Sequence, residues 1–84
     1  MNKYYVYLLK SLKDGNYYIG QTDNIEKRLK NHNAGYNKST KYRVPLILIG
    51  YEEYPNQSLA RWREYELKHS AHKRQKLISH LIEK

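Results

Sequence analysis

The sequence has 84 residues and no cysteine, so we expect one domain, residues 1–84, without disulfides or thiolate metal sites. Its formal net charge of +8 favours a polyanionic partner, of which nucleic acid is the commonest; a ribosome-associated or merely very soluble protein is the alternative. No stretch resembles a signal peptide or a membrane span, and together with the missing cysteine this predicts a cytoplasmic protein.

A β-hairpin is predicted at the start of the chain. Residues 4–10 are mostly aromatic, branched or leucine, which is typical of a strand, and both of its faces are apolar. Asp14-Gly15 is a strong turn signal, and residues 16–20 then form the partner strand. Apolar side chains on both faces indicate that the first strand is covered on two sides.

The register of this hairpin decides how close two tyrosines come. A loop with an even number of residues places Tyr7 and Tyr18 on the same face. A two-residue turn at Asp14-Gly15 would pair Ser11 with Tyr18 and leave the tyrosines offset along the strands. A different register or a bulge would bring them closer, so the sequence leaves their separation open.

The first helix is predicted to follow the hairpin directly. Residues 22–24 offer N-caps, and Asp23 with Glu26 resembles a capping box. The helix is expected to run to about Ala34, with Gly35 as its terminator.

One face of this helix carries candidate functional residues. Ile25 and Leu29 form the expected buried stripe, and Arg28 and His32 lie beside it as neighbours four residues apart. The competing interpretation is a solvated basic face for Arg28 and Lys27. For His32 it is a helix C-terminal residue favoured by the dipole.

Residues 35–45 are predicted to be a polar loop rich in basic and tyrosine side chains. Such residues suit phosphate contacts and base stacking, although an ordinary surface loop explains them equally well. The residues in question are Tyr36, Lys38, Lys41, Tyr42 and Arg43.

Residues 46–53 predict the third strand, because they begin with a continuous apolar run. Such a run indicates a strand that is central or covered on both faces. Residues 54–56 contain proline and asparagine and end it.

Two helices are predicted after this strand. Ser58 is a plausible N-cap for residues 59–69, and Ser70 for residues 71–82. The order β-β-α-β-α-α indicates an α+β fold, a small three-stranded, mostly antiparallel sheet flanked by three helices. On the first of these two helices a packed cluster is expected on one side, with Glu64 at its flank: Leu59, Ala60, Trp62 and Leu67.

These motifs resemble the GIY-YIG nuclease domain. Residues 5–7, Tyr-Val-Tyr, stand at its first motif with tyrosine in place of glycine, and residues 18–20, Tyr-Ile-Gly, stand at its second. Arg28 follows Tyr18 by ten residues, and His32 follows four later. The resemblance covers essentially the whole chain and is greatest to small stand-alone bacterial members.

The resemblance implies a metal-dependent DNA endonuclease that hydrolyses phosphodiester bonds, with Mg²⁺ or Mn²⁺ as cofactor, acting in repair or recombination. Its substrate would be branched, damaged or single-stranded DNA. A catalytically weak or inactive nucleic-acid-binding module and a basic adaptor for a protein partner are the alternatives. Basic residues are expected to bind nucleic acid around the site: Lys27, Lys38, Lys41, Arg43 and Lys68.

The resemblance also implies a role for each site residue. Glu64 would hold the metal ion, and Arg28 would grip the scissile phosphate. Tyr7 or Tyr18 would take a proton from the attacking water; Tyr7 is favoured, with Tyr18 positioning. A free phenol has a pKa of about 10, so it must be lowered by cations or act through a hydrogen-bond network. His32 would donate to a phosphate or assist proton transfer.

Gly20 is expected to let the backbone turn sharply beneath the site. Two departures from the family pattern predict a slow enzyme. Gln21 stands where some members have lysine, and no asparagine follows Asn56. The second departure indicates either a truncated chain or a missing support for the scissile phosphate.

Overall fold

The computed structural model describes residues 3–83. Within them the chain forms three strands and three helices in the predicted order: β1 (Tyr4–Ser11), β2 (Tyr17–Thr22), α1 (Ile25–Asn33), β3 (Leu46–Tyr54), α2 (Gln57–His69) and α3 (Ala71–Ile82). Both strand pairings are antiparallel, and the sheet order is β2-β1-β3. The predicted α+β class is therefore confirmed. None of the described helices has the length and apolar content needed to cross a membrane.

The sheet lies between two apolar layers. Alternation along β1 sends Val6 and Leu8 to one face, against α2 and α3, and Tyr7 and Leu9 to the other, against α1. The first layer holds the larger buried cluster, and the second is completed by Leu46 and half-buried neighbours. The central strand is thus covered on both sides, as its sequence predicts.

β3 is an edge strand that contacts both layers. Leu46 and Leu48 pack with the α1 layer, whereas Ile49 packs with the α2–α3 layer. This switch follows from the ordinary alternation of side chains along a strand, whereas the register shift opposite Leu8 and Leu9 leaves Ile49 unpaired with β1. The apolar run therefore reflects coverage on both faces, one of the two positions that the sequence predicts, and not a central place in the sheet.

Of the hairpin registers that the sequence leaves open, the structure does not use the two-residue turn at Asp14-Gly15. Ser11 N donates to Asn16 O at 2.9 Å, so residues 12–15 form a four-residue loop. Ser11 Oγ accepts from the amides of Lys13 and Asp14, both at 3.1 Å, which stabilises the longer loop. The shift by two residues keeps side chains on the predicted faces and pairs Leu9, not Ser11, with Tyr18. Tyr18 is thereby drawn towards Tyr7.

The N-cap of α1 lies among the predicted residues 22–24, whereas the N-cap of α2 differs from the predicted one. Asn24 caps α1 by accepting from Lys27 N, so the predicted Asp23–Glu26 capping box is not used. Asn56 caps α2 by accepting from Leu59 N, which moves the cap two residues before Ser58. Asparagine and serine are about equally good N-caps, and sequence does not rank them.

Other helix boundaries agree with their sequence signals. Ser70 caps α3 by accepting from Lys73 N, as predicted. Gly35 follows the end of α1 with φ of +84°, a conformation that favours glycine, so its predicted role as terminator is confirmed.

The packed side of α2 is narrower than predicted. Ala60 and Leu67 are fully buried, but Leu59 is 46% and Trp62 60% exposed. Trp62 follows Ala60 by two residues, which places it about 200° around the helix. The expected cluster of four is therefore wrong, and Trp62 lies on the solvent side.

Candidate active site

The candidate site is centred on Tyr7, a core residue of the central strand. Its side chain is 1% exposed, and its hydroxyl lies 2.9 Å from His32 Nε2. Arg28 Nε donates to the same hydroxyl at 3.4 Å. Burial raises the pKa of Tyr7 from 10.0 to about 12, against the opposing hydrogen bond from Arg28. Of the two predicted ways for this phenol to act, the structure favours the hydrogen-bond network.

His32 connects Tyr7 to a buried threonine. It lies in the last turn of α1, is fully buried, and places Nδ1 2.7 Å from Thr40 Oγ1. Burial and then the charge of Arg28 lower the pKa of His32 from 6.5 to about 4. The ring is therefore neutral at neutral pH, with one nitrogen donating and the other accepting.

The hydrogen-bond partners determine which group donates and which accepts between Tyr7, His32 and Thr40. The Tyr7 oxygen accepts from Arg28, and His32 Nε2 is the acceptor within reach of its buried O–H among residues 3–83. A buried hydroxyl left without an acceptor would be costly. Tyr7 therefore donates to Nε2, and the Nδ1–H of His32 donates to Thr40.

Gly20 makes room for the Tyr7 ring. It lies opposite Tyr7 in β2, and a Cβ added there would come within 2.6 Å of Tyr7 Cζ and still closer to the hydroxyl. Gly15 and Gly35 have positive φ, but Gly20 does not. The predicted sharp turn at Gly20 is wrong, and the absence of a side chain is what this position requires.

Tyr18 forms the side of the site nearest α2. Its ring centroid lies 6.4 Å from that of Tyr7 and 5.0 Å from that of His32, the latter edge to face. Lys68 Nζ lies 5.6 Å from the Tyr18 centroid. Tyr18 thus links the buried Tyr7–His32 pair to charged residues of α2.

Glu64 contributes negative charge from α2. Its Oε2 accepts from Lys68 Nζ at 3.0 Å, and its side chain is 23% exposed. Burial is the main cause of the raised pKa of Tyr7, and the hydrogen bond to Tyr7 is the main cause of the raised pKa of Arg28. The Glu64 carboxylate makes a smaller contribution in the same direction to both. α2 therefore brings Glu64 and Lys68 to the site.

A divalent ion would depend on few protein ligands here. Within residues 3–83 no group of three or more histidine, cysteine, aspartate or glutamate side chains could hold a metal. Glu64 Oε1 has no hydrogen-bond or ion-pair partner in the described chain. Mg²⁺ commonly binds through one or two carboxylates while keeping several waters and contacting substrate phosphates. Glu64 fits that mode.

Two polar depressions, each of about 290 Å³, meet at Arg28. One includes His32 and Lys38, and the other includes Lys27. Asn31, three residues after Arg28 on α1, lines both depressions. They offer a phosphate backbone cationic and amide groups on either side of Arg28.

The remaining basic residues are placed differently. Lys41 is exposed, with its Nζ 5.2 Å from the Tyr42 centroid. Arg43 pairs with Asp14 at 2.9 Å, and its carbonyl accepts from Ser11 Oγ at 2.6 Å. The structure therefore ties Arg43 to the hairpin loop and does not bring it to Tyr7.

Sequence reasoning missed Thr40 and Asn31. Thr40 is fully buried against His32, but it lies in the polar segment between α1 and β3, where no periodicity indicates burial. Asn31 had a usable signal, because residues three apart on a helix share a face.

Residues 3–77 match the model of the GIY-YIG catalytic domain. The chain belongs to this family of nucleases, whose members generally use divalent metal ions and act on nucleic acid. The resemblance predicted from its motifs is confirmed.

The chain is also similar to several UPF0213 proteins. It is 46% identical to one from Staphylococcus saprophyticus, over 94% of this chain and 98% of the relative. A second, from Staphylococcus haemolyticus, is 46% identical over 81% of this chain and 83% of the relative. The solution NMR structure of a UPF0213 protein from Bacillus halodurans superposes with a TM-score of 0.57 at 38% identity, covering 92% of this chain and 83% of that one.

Proposed function

We propose that this protein is a metal-dependent endonuclease that hydrolyses phosphodiester bonds in DNA, acts in repair or recombination, and resides in the cytoplasm. The observation that carries the proposal is the buried Tyr7–His32 hydrogen bond with Arg28 beside it. A phenol, a neutral imidazole and a guanidinium in contact supply a proton route and a phosphate ligand in one place.

Arg28 is proposed to bind the scissile phosphate. Its Nε is directed to Tyr7, and both polar depressions reach the residue. A guanidinium presents five donors in a planar fork, which suits a phosphate. The phosphate would thus lie next to the Tyr7 hydroxyl.

Tyr7 is proposed to accept the proton of the attacking water while donating its own to His32 Nε2. A phenol with a pKa of about 12 is not ionised at neutral pH, so both transfers must be coupled. His32 is neutral and can accept, although Arg28 lowers its pKa. A phosphate bound to Arg28 would offset that charge and make His32 a stronger base. Thr40 would hold the imidazole in the required tautomer.

Glu64 is proposed to hold Mg²⁺ or Mn²⁺. The ion would neutralise developing charge on the phosphate oxygens, which is a main contribution of metals to phosphoryl chemistry. Lys68, bound to Glu64 and close to Tyr18, would keep the carboxylate in place and contact substrate.

The decisive experiment is cleavage of supercoiled plasmid and branched DNA in Mg²⁺ or in EDTA. We expect Glu64→Gln and Tyr7→Phe each to reduce cleavage by about 10²-fold or more. Glu66→Gln and Tyr4→Phe are matched controls on the same helix and strand and should retain activity. Cleavage that survives both EDTA and Glu64→Gln would refute the metal–glutamate mechanism.

One observation favours a second candidate, a nucleic-acid-binding module without catalysis. Burial holds both Tyr7 and His32 firmly in their uncharged forms. Salt-sensitive DNA binding without cleavage in the same experiment would support the module.

A further inference from the structure

Three aromatic rings form a stacked column on the solvent side of α2. The Trp62 and Tyr65 centroids are 5.7 Å apart with planes at 16°, and those of Tyr65 and His69 are 4.1 Å apart with planes at 24°. Trp62 is 60% and Tyr65 53% exposed. His69 Nδ1 lies 2.9 Å from Tyr65 O, which helps to hold that end of the column. Large aromatic rings in this arrangement are exposed without contributing to the core.

The column has an open end at Trp62. Tyr65 has a ring on each side, so the outer ring faces of the column belong to Trp62 and His69. Trp62 is the larger of the two and is 60% exposed. A flat ring surface does not enclose a protein side chain, but a single exposed ring face is sufficient for stacking with a nucleobase.

The charges around the column suit a polyanion. Arg61 and Lys68 lie between the column and Glu64 around the helix, about 80–100° from Ala60. The opposite flank holds Glu66, whose charge is met by Lys73 at 2.7 Å and Arg63 at 3.6 Å. The negative charge nearest the column on this flank is therefore neutralised, and the whole chain carries +8.

The column is also continuous with the candidate active site. Lys68 contacts Glu64 and lies over Tyr18, while Arg61 and Lys68 lead around α2 towards Trp62. A backbone passing Glu64 could follow these cations and place the base of a nearby nucleotide on the Trp62 ring.

We propose that the stacked column Trp62–Tyr65–His69 binds an unpaired nucleotide, so that the substrate is DNA with a single-stranded segment beside the cleaved bond. Paired bases are stacked on their neighbours and cannot offer a face to Trp62. The inference rests on the proposed function for its DNA substrate, but it does not require cleavage.

Trp62 is the only tryptophan in the sequence, so its fluorescence reports this surface directly. The full chain in EDTA and low salt would be titrated with a twelve-nucleotide oligo(dT) and with a twelve-base-pair duplex. We expect oligo(dT) to quench the emission and the duplex to have little effect. Absence of quenching by oligo(dT), or equal quenching by the duplex, would overturn the proposal.

Variants would then be compared by anisotropy of labelled oligo(dT). We expect Trp62→Ala to weaken binding roughly 5- to 150-fold, the range for loss of one base–aromatic stack, and Trp62→Phe to retain most of it. Leu59→Ala, an exposed apolar control on the same helix, should stay within twofold. A Trp62→Ala affinity within twofold of the unmodified chain would overturn the proposal. The exposed position makes folding of this variant straightforward to verify by circular dichroism, and the quenching result stands without it.

Two further outcomes distinguish this inference from the proposed nuclease activity and from self-association of the chain. Quenching that persists in Glu64→Gln, in a protein that does not cleave plasmid, would sustain the stacking surface while refuting the proposed nuclease. A concentration-dependent change of Trp62 emission without DNA, matched by a dimer in sedimentation, would overturn the inference and assign the column to a second copy of the chain.

Discussion

Gly20→Ala is expected to disrupt the site by displacing Tyr7. A methyl group at position 20 would come within 2.6 Å of Tyr7 Cζ, and the ring is buried and hydrogen-bonded to His32. Such overpacking costs about 1–3 kcal/mol, and the alanine recovers about 0.4–1 kcal/mol by restricting the unfolded chain. The middle of each range gives a net loss of about 1.3 kcal/mol, which corresponds to a melting temperature lower by roughly 5–10 °C.

Gly50→Ala is the matched control. It also adds a methyl group to a strand, where the contact is with Leu81 Cδ2 at 2.7 Å, the end of a flexible side chain on α3. Leu81 can rotate away, so the loss of stability should be smaller and the site should remain intact. Urea unfolding followed by circular dichroism measures both variants. Equal losses, or a Gly20→Ala protein as stable as the unmodified chain, would refute the reasoning.

Three further predictions concern the hydrogen bonds that join Tyr7, His32 and Thr40. Thr40→Val removes the buried partner of His32 Nδ1 and should cost about 1–3 kcal/mol in urea unfolding, whereas Thr40→Ser should restore most of it. Because the folded-state pKa of His32 is about 4, against 6.5 ordinarily, the unfolded chain binds more protons between these values. The stability that neutral His32 contributes should be complete above about pH 6.5 and should be lost as the pH falls towards 4. His32→Gln should flatten this pH dependence of stability. His72→Gln, which replaces an exposed histidine, should leave it unchanged. Arg28→Gln removes one of the two causes of the depressed pKa, so NMR titration should show the pKa of His32 rising but staying below 6.5, with Lys30→Gln as control.

Local signals in the sequence were sufficient for the order and type of the elements. Alternation in β1 correctly predicted two covered faces, because each face is buried against its own helical layer. The sequence correctly predicts Ser70 as an N-cap and Gly35 as a helix terminator, because these preferences act over one helical turn. The spacing of the motifs predicts the family, and the fold brings the residues of these motifs close together.

Features that depend on distant contacts could not be predicted. The hairpin register is set partly by Ser11 Oγ, which also donates to the carbonyl of Arg43, 32 residues away. The burial of Thr40 could not be predicted, because it depends on contact with His32 and not on the residues next to Thr40 in the sequence. The hydrophobicity of Trp62 predicts burial, but its position about 200° around the helix from Ala60 places it in solvent.

The dual position of Tyr7, in the core and in the candidate site, affects how activity could be lost in evolution. Replacing Tyr7, His32 or Thr40 would disturb buried packing and hydrogen bonds, so selection for a stable fold alone would retain them. Arg28 and Glu64 are half-buried at the rim, and their loss would cost the fold less. In a relative that had abandoned catalysis, we therefore expect Arg28 and Glu64 to drift first, while the tyrosine–histidine–threonine chain persists as part of the architecture.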